Sequence, residues 1–118
     1  MNAPPRRTRA PDAATDAAVR IAASIELLHN ALLIHDDIED KSELRRHRRT
    51  VWHLWGVPKG INTGDAMWVL SRLAVLRLAD LGHPPERVLQ VISRLERACL
   101  ELCAGQHLDL QFEQERTV

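Results

Sequence analysis

Residues 26–46, ELLHNALLIHDDIEDKSELRR, decide the fold of this chain, because an apolar helical pattern ends there in a dense run of charge. The aliphatic run 32–34 leads through His35 into four carboxylates within positions 36–40, and two arginines follow at 45 and 46. Upstream, apolar residues recur every three or four positions, the spacing of one face of an α-helix. The pattern predicts a first long helix from about Asp12 to Asp40, with Asp12 or Thr15 as its N-cap.

Two further long helices are predicted downstream. The second starts at residue 62 or 63 and ends at Gly82, a residue suited to the position just after a helix. The third opens at Pro84-Pro85, where proline is tolerated in the first turn, and continues to about Glu115. No window alternates apolar and polar residues as a half-buried strand would, so residues 41–60 are expected to form a polar linker. The expected fold class is therefore all-α, with about three long helices.

Length and composition limit the class of protein. With 118 residues, the chain is expected to form one domain, with residues 1–11 as a flexible tail and 12–118 as the helical part. Its 16 basic side chains balance 16 acidic ones, which favours neither nucleic acid nor a membrane surface as a partner. No apolar run reaches the roughly 20 residues that span a bilayer, so no transmembrane segment is expected. The first residues also lack the apolar stretch of a signal peptide.

The cysteines and the apolar helix faces bear on location and assembly. Cys99 and Cys103 lie four apart in the helical pattern, which favours two small buried hydrophobes over a disulfide. Free cysteines are typical of a reducing compartment, and we expect the cytoplasm. Three long helices with wide apolar faces cannot cover one another in a chain this short, so association with further chains is expected.

The carboxylates at the end of the first helix are candidate metal ligands. Asp36 and Asp40 stand one turn apart and can each offer an oxygen to one cation, whereas Asp37 points about 100° away, toward a second ion or a hydrogen-bond donor. Mg²⁺ prefers such oxygens and shares its coordination shell with substrate phosphates. Carboxylates at a helix C-terminus also face the negative end of the helix dipole, which favours a neutralising cation. The alternative is a solvated acidic helix end paired with the following arginines.

The tract RRHRRT, residues 45–50, complements these acids. Arginine forks bind phosphate oxygens in pairs and stay charged at any working pH. Acids and arginines this close together favour a site where Mg²⁺ links carboxylates to a diphosphate. An ion-pair cluster within a loop and a nucleic-acid patch are the alternatives, and the flanking acids argue against the second.

Two further polar patterns interrupt the apolar faces. Glu26 and His29 stand three apart, the spacing of di-iron bundles, but no second such pair follows on a later helix. On the third helix, the apolar face continues into Gln106, Asp109 and Glu113. A stripe of this kind either lines a cavity or marks a fraying polar end.

Three segments taken together closely resemble the central part of the trans-isoprenyl diphosphate synthases, the polyprenyl synthetase family: ELLHNALLIHDDIEDKSELRR, INTGDAM and CAGQHLDLQFE. The resemblance covers about residues 12–115. It implies an all-α, isoprenoid-synthase-type helical bundle around a deep cavity, of which this chain forms a part that oligomerisation would complete. It also implies Mg²⁺-dependent condensation of an allylic diphosphate with isopentenyl diphosphate, a step of isoprenoid biosynthesis.

The resemblance further implies roles for individual residues. Asp36, Asp37 and Asp40 match the family's first aspartate-rich motif, which chelates the Mg²⁺ that binds the allylic diphosphate. Arg45 and Arg46 match its diphosphate-binding arginines, and these five residues form the candidate catalytic set. Substrate contacts are also expected at four cavity-lining positions: His29, Leu32, Gln106 and Asp109. No large aromatic side chain stands just before the aspartates, where the family sets its cavity floor, which argues against a very short product.

The chain departs from the family pattern in three places. The second aspartate-rich motif would lie beyond Val118, and RRTRAP replaces the upstream Gly-Lys-Arg segment that helps to bind isopentenyl diphosphate. After the arginine pair, the family has Gly, a basic residue and Pro, where this chain has His47, Arg48 and Arg49. These departures predict a shortened homologue or a fragment that depends on other chains for activity. The contrasting interpretation is a non-catalytic homologue, acting as a helical oligomer or as a partner subunit of a full-length synthase.

Overall fold

The computed structural model describes residues 12–116 as a set of helices with one small hairpin. The elements are α1 (Ala13–Glu39), β1 (Leu44–Arg45), β2 (Arg48–Arg49), α2 (Val51–Trp55), α3 (Val57–Asp80) and α4 (Pro85–Arg116). The prediction of an all-α fold with three long helices is confirmed by α1, α3 and α4, which contain 27, 24 and 32 residues. The predicted tail, residues 1–11, lies outside the described residues.

The first helix begins where a capping residue satisfies its free backbone donors. Asp12 Oδ1 accepts a hydrogen bond from the backbone N–H of Thr15 at 2.7 Å, so Asp12 rather than Thr15 is the N-cap. By length and composition, with a mean hydropathy of 1.5, α1 is apolar enough to cross a membrane, although core helices of soluble proteins pass the same test. The expectation that the chain has no transmembrane segment therefore stays a prediction.

The segment between α1 and α3 differs from the prediction. The prediction of a polar linker over residues 41–60 is wrong. There, β1 and β2 form an antiparallel hairpin, and α2 follows it directly. Arg46 and His47 close the hairpin with positive φ angles of 48° and 66°. Two such residues in succession form the turn whose twist matches that of a two-stranded hairpin. The hairpin folds the arginine tract back beside the end of α1.

The start of α3 lies several residues before the predicted one. The helix begins at Val57, with Pro58 in its first turn, where the missing N–H has no helical partner to lose. Gly56 precedes it with a φ of 92°, a conformation that favours glycine. Thr63, which suggested a helix start, instead lies inside α3 and donates its hydroxyl to the Lys59 carbonyl at 2.7 Å.

The end of α3 confirms the role predicted for Gly82. The helix ends at Asp80, and Gly82 adopts a φ of 93° two residues later. The N–H of Gly82 donates to the Ala79 carbonyl at 3.1 Å, and that of His83 donates to the Leu78 carbonyl at 3.0 Å. These two bonds satisfy carbonyl groups that a helix end otherwise leaves free.

The three long helices pack around one apolar cluster, which lies at the start of α1, the end of α3 and the start of α4. Its buried members are Val75, Leu78 and Val88, and the residues packed against them are Ala17, Ile21, Val91, Ile92 and Leu95. At its other end, α3 places Gly60 against Ile38 of α1. Helices α1 and α3 therefore run antiparallel, which brings the first turns of α3 beside the acidic end of α1.

The described structure is elongated and leaves much apolar surface exposed. Its extents are 77 × 38 × 23 Å, and its radius of gyration is 19.4 Å, against about 13 Å for a compact domain of this length. Nine large apolar side chains on α3 and α4 are 45–70% exposed: Val69, Leu70, Leu73, Leu76, Leu89, Leu100, Leu102, Leu108 and Phe112. The prediction that the helices cannot cover one another's apolar faces is confirmed for the described residues.

Candidate functional site

An open cavity of about 560 Å³ lies between the end of α1 and the middle of α4. Its lining combines carboxylates with apolar side chains, and we name it the acidic cavity after Asp36, Glu39, Glu101 and Asp109. Apolar lining comes from Leu32, Leu33 and Leu102. The volume is typical of small-molecule sites. A cavity with this lining suits a ligand that has one charged and one hydrocarbon end.

Several residues singled out in the sequence meet in this cavity. His29, Leu32 and Asp36 line it from α1, and Gln106 and Asp109 line it from α4. Two residues of the polar stripe on α4, Gln106 and Asp109, therefore face this cavity, whereas Glu113 does not line it. These five candidates from the sequence therefore lie around one cavity, and their roles in a site stay predictions.

Gln106 connects α4 to the acidic end of α1. Its Nε2 donates to Glu39 Oε2 at 2.9 Å and lies 3.5 Å from Asp40 Oδ1. Asp40 thus stands at the edge of the acidic cavity. A neutral amide satisfies carboxylate oxygens without cancelling their charge, so the negative potential of this edge persists.

The environment of Asp36 concentrates negative charge. Burial raises the pKa of Asp36, the nearby carboxylates of Glu39 and Asp40 raise it further, and Arg45 lowers it by a smaller amount. A divalent cation beside this carboxylate would reverse the effect, because it favours the ionised form. The donor set fits Mg²⁺, which binds one or two protein carboxylates and takes its remaining oxygens from water and phosphate.

The described residues do not, however, form a complete metal cage. Within 12–116, no group of three or more His, Cys, Asp and Glu side chains is placed to hold a metal ion. A cation at Asp36 and Asp40 would therefore depend on oxygens from outside these side chains. That requirement is compatible with a diphosphate as co-ligand.

Asp37 faces away from the acidic cavity and pairs with Arg45. Its carboxylate is 7% exposed, and Arg45 donates to it from Nη2 at 2.7 Å and from Nε at 3.2 Å to each oxygen. The sequence left open whether Asp37 reaches an ion or a hydrogen-bond donor, and in this structure it reaches the donor. The pair holds the arginine hairpin against the end of α1.

The hairpin places the remaining arginines at the surface. Arg46 and Arg48 are exposed, and neither lines the acidic cavity. Arg49 turns toward α2, where its Nε donates to His53 Nδ1 at 3.1 Å. Thr50 anchors the base of the hairpin by donating its hydroxyl to the Ser42 carbonyl at 2.7 Å. The predicted contacts of Arg45 and Arg46 with substrate stay predictions.

Gly64 leaves room for the imidazole of His35 between α1 and α3 beside the site. A β-carbon at Gly64 would overlap this ring, so a side chain at this position would have to displace it. His35 Nε2 lies 3.2 Å from the Ile61 carbonyl and 3.3 Å from Asp65 Oδ1. The Gly-Asp pair in INTGDAM therefore contacts the side chain of His35, which is the residue immediately before the aspartates.

The structure adds cavity residues that sequence reasoning missed. Glu39, Trp68 and Cys103 all line the acidic cavity. Glu39 was visible as the fourth acid of the cluster, but Trp68 was not, because its position depends on how α3 packs on α1.

The two cysteines are free, but only Cys99 is buried, so the prediction that both are buried is wrong for Cys103. Burial raises the pKa of Cys99 to about 11.

Comparison with known proteins gives consistent matches. The family model for polyprenyl synthetases matches residues 6–118. A geranylgeranyl pyrophosphate synthase of Geoglobus acetivorans is 40% identical over 101 residues, which cover 86% of this chain and 31% of the relative. Among solved structures, a geranylgeranyl pyrophosphate synthetase of Pyrococcus horikoshii superposes with a TM-score of 0.77 at 42% identity, over 83% of this chain and 29% of that one. A polyprenyl synthetase of Streptomyces coelicolor superposes with a TM-score of 0.77 at 36% identity, over 84% of this chain and 28% of that one. The chain thus spans about a third of the length of these relatives.

Proposed function

Since the chain belongs to the polyprenyl synthetase family, we propose that it provides the magnesium- and diphosphate-binding part of a prenyltransferase. One observation carries this proposal: Asp36, Gln106 and Asp109 line a single cavity that Leu32, Leu33 and Leu102 also line. An allylic diphosphate has the same division into an anionic end and a hydrocarbon end. The relatives named above are synthases, which favours this function over the non-catalytic alternative.

Asp36 and Asp40 are the proposed ligands of Mg²⁺. They lie one helical turn apart at the cavity edge, where burial and the neighbouring carboxylates raise the pKa of Asp36. Asp37, which the sequence also suggested as a ligand, would reach a metal only if its pair with Arg45 opened. When bound, Mg²⁺ would stabilise the charge that develops on a departing diphosphate.

Arg45 and Arg46 are proposed to bind the diphosphate at its outer side. Asp37 accepts hydrogen bonds from Nε and Nη2 of Arg45. These bonds fix the direction of the guanidinium and leave its other N–H groups able to donate to a phosphate oxygen. Arg46 follows in the turn, exposed to solvent. Leu32 and Leu33 would contact the first part of the hydrocarbon chain, and His29 lies one turn deeper.

The proposed reaction is a condensation of two diphosphates. The C–O bond of the allylic diphosphate breaks, and diphosphate leaves with the electron pair. The double bond of isopentenyl diphosphate then attacks the resulting carbocation, a C–C bond forms, and a proton is lost. The side chains of this chain would bind and orient the allylic substrate, while the apolar lining would keep water from the cation.

Partner chains are part of the proposal. The exposed apolar faces of α3 and α4, and the short span of the chain relative to its relatives, support association with further copies or with another synthase chain. Such an assembly would also cover the open side of the acidic cavity. A cytoplasmic location agrees with the free cysteines.

An activity assay tests the proposal. The purified chain is incubated with Mg²⁺, labelled isopentenyl diphosphate and an allylic diphosphate, alone and with a candidate partner synthase. Prenyl product that disappears with Asp36→Ala and persists with Asp80→Ala, an exposed aspartate at the end of α3, is the expected result. No product in either mixture would reject a catalytic role and favour the non-catalytic homologue.

A further inference from the structure

A strongly basic stretch of the sequence lies outside the acidic cavity. Residues 44–64 contain four arginines and one lysine but no aspartate or glutamate, in a chain whose acids and bases balance overall. None of these five cations lines the acidic cavity. Arg45 is paired with Asp37. The exposed side chains of Arg46 and Arg48, in contrast, make no hydrogen bond or ion pair with any described residue. The balance of charge over the whole chain therefore conceals one positive surface.

Contacts join the arginine hairpin to α2 and to the start of α3. The hairpin register places Leu44 opposite Arg49, so their side chains share one face. Arg49 donates from Nη2 to the His53 carbonyl at 3.2 Å, which ties this face to the end of α2. Lys59 Nζ lies 5.9 Å from the ring centroid of Trp55, which ties α2 to the first turn of α3. The exposed side chains of residues 44–59 thus form one continuous surface, which we call the basic surface.

The basic surface also carries apolar side chains. Four large ones are 41–64% exposed: Leu44, Leu54, Trp55 and Val57. A nucleic-acid duplex offers phosphates to the cations but little hydrocarbon to these side chains. An anionic bilayer offers both, since its phosphates lie directly above its acyl chains. Tryptophan is enriched at that boundary in proteins that contact membranes.

We propose that the basic surface docks this chain on a bilayer that contains anionic lipid. The cations lie among the headgroup phosphates, and Trp55 enters the boundary with the acyl chains. The hairpin is so short that its arginines lie within about one Debye length of one another and act on the bilayer together. Part of this charge is particular to the chain, because the family resemblance implies a proline where Arg49 stands. The docking goes beyond the proposed function and does not depend on catalysis.

Vesicle flotation without Mg²⁺ or prenyl diphosphate tests the proposal. The full chain is mixed at low salt with vesicles of phosphatidylcholine alone, or with about one third phosphatidylglycerol, and the bound fraction is measured over a range of lipid concentrations. The apparent affinity should be at least about tenfold higher for the anionic vesicles, and added salt should reduce the difference. Binding should also shift the tryptophan emission to shorter wavelength, because the indole of Trp55 leaves water.

Single substitutions locate the contact. Arg48→Gln removes one cation and should weaken binding to the anionic vesicles about fivefold. Trp55→Ala should weaken it about tenfold and remove the emission shift. The matched controls on α4 are Arg97→Gln, at an exposed arginine, and Leu89→Ala, at a leucine that is 64% exposed like Trp55, and both should bind as the wild type does. Circular dichroism checks that each variant is folded, and Arg48→Gln keeps the proposal testable if Trp55→Ala is not.

Three results would overturn the proposal. Equal affinity for the two kinds of vesicle would exclude anionic headgroups as the ligand. Wild-type affinity in either variant, once shown to be folded, would place the contact elsewhere on the chain. Binding of duplex DNA in the same buffer, without binding of the anionic vesicles, would assign the cations to nucleic acid. None of these results bears on the metal and diphosphate site, so the proposed function would still stand.

Discussion

The neighbouring aspartates Asp36 and Asp37 have opposite surroundings at the residue scale. Asp36 lines the acidic cavity among other carboxylates, whereas Asp37 is buried against Arg45. The 100° step between successive helical residues produces this difference, because it turns adjacent side chains toward different neighbours. One aspartate is therefore available to a ligand, and the other holds the hairpin in place.

Asp37→Ala should destabilise the fold. The substitution leaves the Arg45 guanidinium without its partner, and hydrogen bonds to charged groups contribute about 1.5–3 kcal/mol. Urea unfolding measures the loss, and Asp37→Asn, which keeps one carbonyl oxygen, should lose less. In a double-mutant cycle, the effects of Asp37→Ala and Arg45→Ala should not add, and strict additivity would contradict the pairing.

Asp36→Asn should have the opposite effect on stability. Because the pKa of Asp36 is raised in the folded chain, ionised Asp36 opposes folding at neutral pH, and this opposition fades as the pH falls through the raised pKa. The variant should therefore melt at a higher temperature than the wild type at pH 7 without metal, and the gain should shrink in acid. Asp80→Asn is the control, because it also removes an acid from a helix end, an interaction that contributes about 0.3–1 kcal/mol to stability. If Asp36→Asn raised the melting temperature no more than Asp80→Asn does, the burial effect would be contradicted.

The turn of the hairpin carries backbone strain. Arg46 and His47 both adopt left-handed backbone angles, which cost non-glycine residues about 1–2 kcal/mol each. The resemblance to the family motif implies a glycine at the position that His47 occupies here. The strain is sustained because the Asp37–Arg45 pair and Thr50 hold both ends of the turn.

His47→Gly should relieve part of this strain and raise the free energy of unfolding by about 1 kcal/mol. Urea unfolding measures the change. Arg48→Gly is the matched control, because it adds a glycine to β2 at a residue outside the positive-φ set, and it should lower stability. A loss of stability in His47→Gly would show that the histidine makes a compensating contact.

The long helices were predictable from sequence, whereas the hairpin and the contribution of α3 to the acidic cavity were not. Apolar spacing of three and four residues gave α1 and α4 nearly to their ends. The hairpin was missed because its turn contains Arg46-His47 in place of the usual Asn-Gly. Trp68 was missed for a different reason: its place in the cavity follows from the α1–α3 register, which Gly64 and His35 set through a tertiary contact.

The described part of the molecule is too extended to bury its own apolar faces. A radius of gyration of 19.4 Å and the exposed aliphatic residues of α3 are what one wall of a larger helical bundle would show. This agrees with a chain that spans about a third of its relatives' length. The acidic cavity, which is open on one side, would be closed by the same surfaces.

Association should therefore be measurable in solution. Sedimentation velocity over a range of concentrations should give a mass above the 13.4 kDa of one chain. Leu73→Glu, placed in the exposed apolar face of α3, should shift the distribution toward the monomer, while Gln90→Glu on the exposed surface of α4 should not. A monodisperse 13.4 kDa species at every concentration would contradict the proposed assembly.

The most direct test of the proposed metal and diphosphate site is to locate the bound ion. Mn²⁺, a paramagnetic substitute for Mg²⁺, is added with inorganic diphosphate to the isotope-labelled chain, and the broadening of backbone amide signals is followed by NMR. Signals of residues 36–40 and of Gln106 should broaden first, and Asp36→Ala should abolish this while Asp80→Ala leaves it unchanged. Broadening centred elsewhere, or the same broadening in Asp36→Ala, would contradict a metal site at the end of α1.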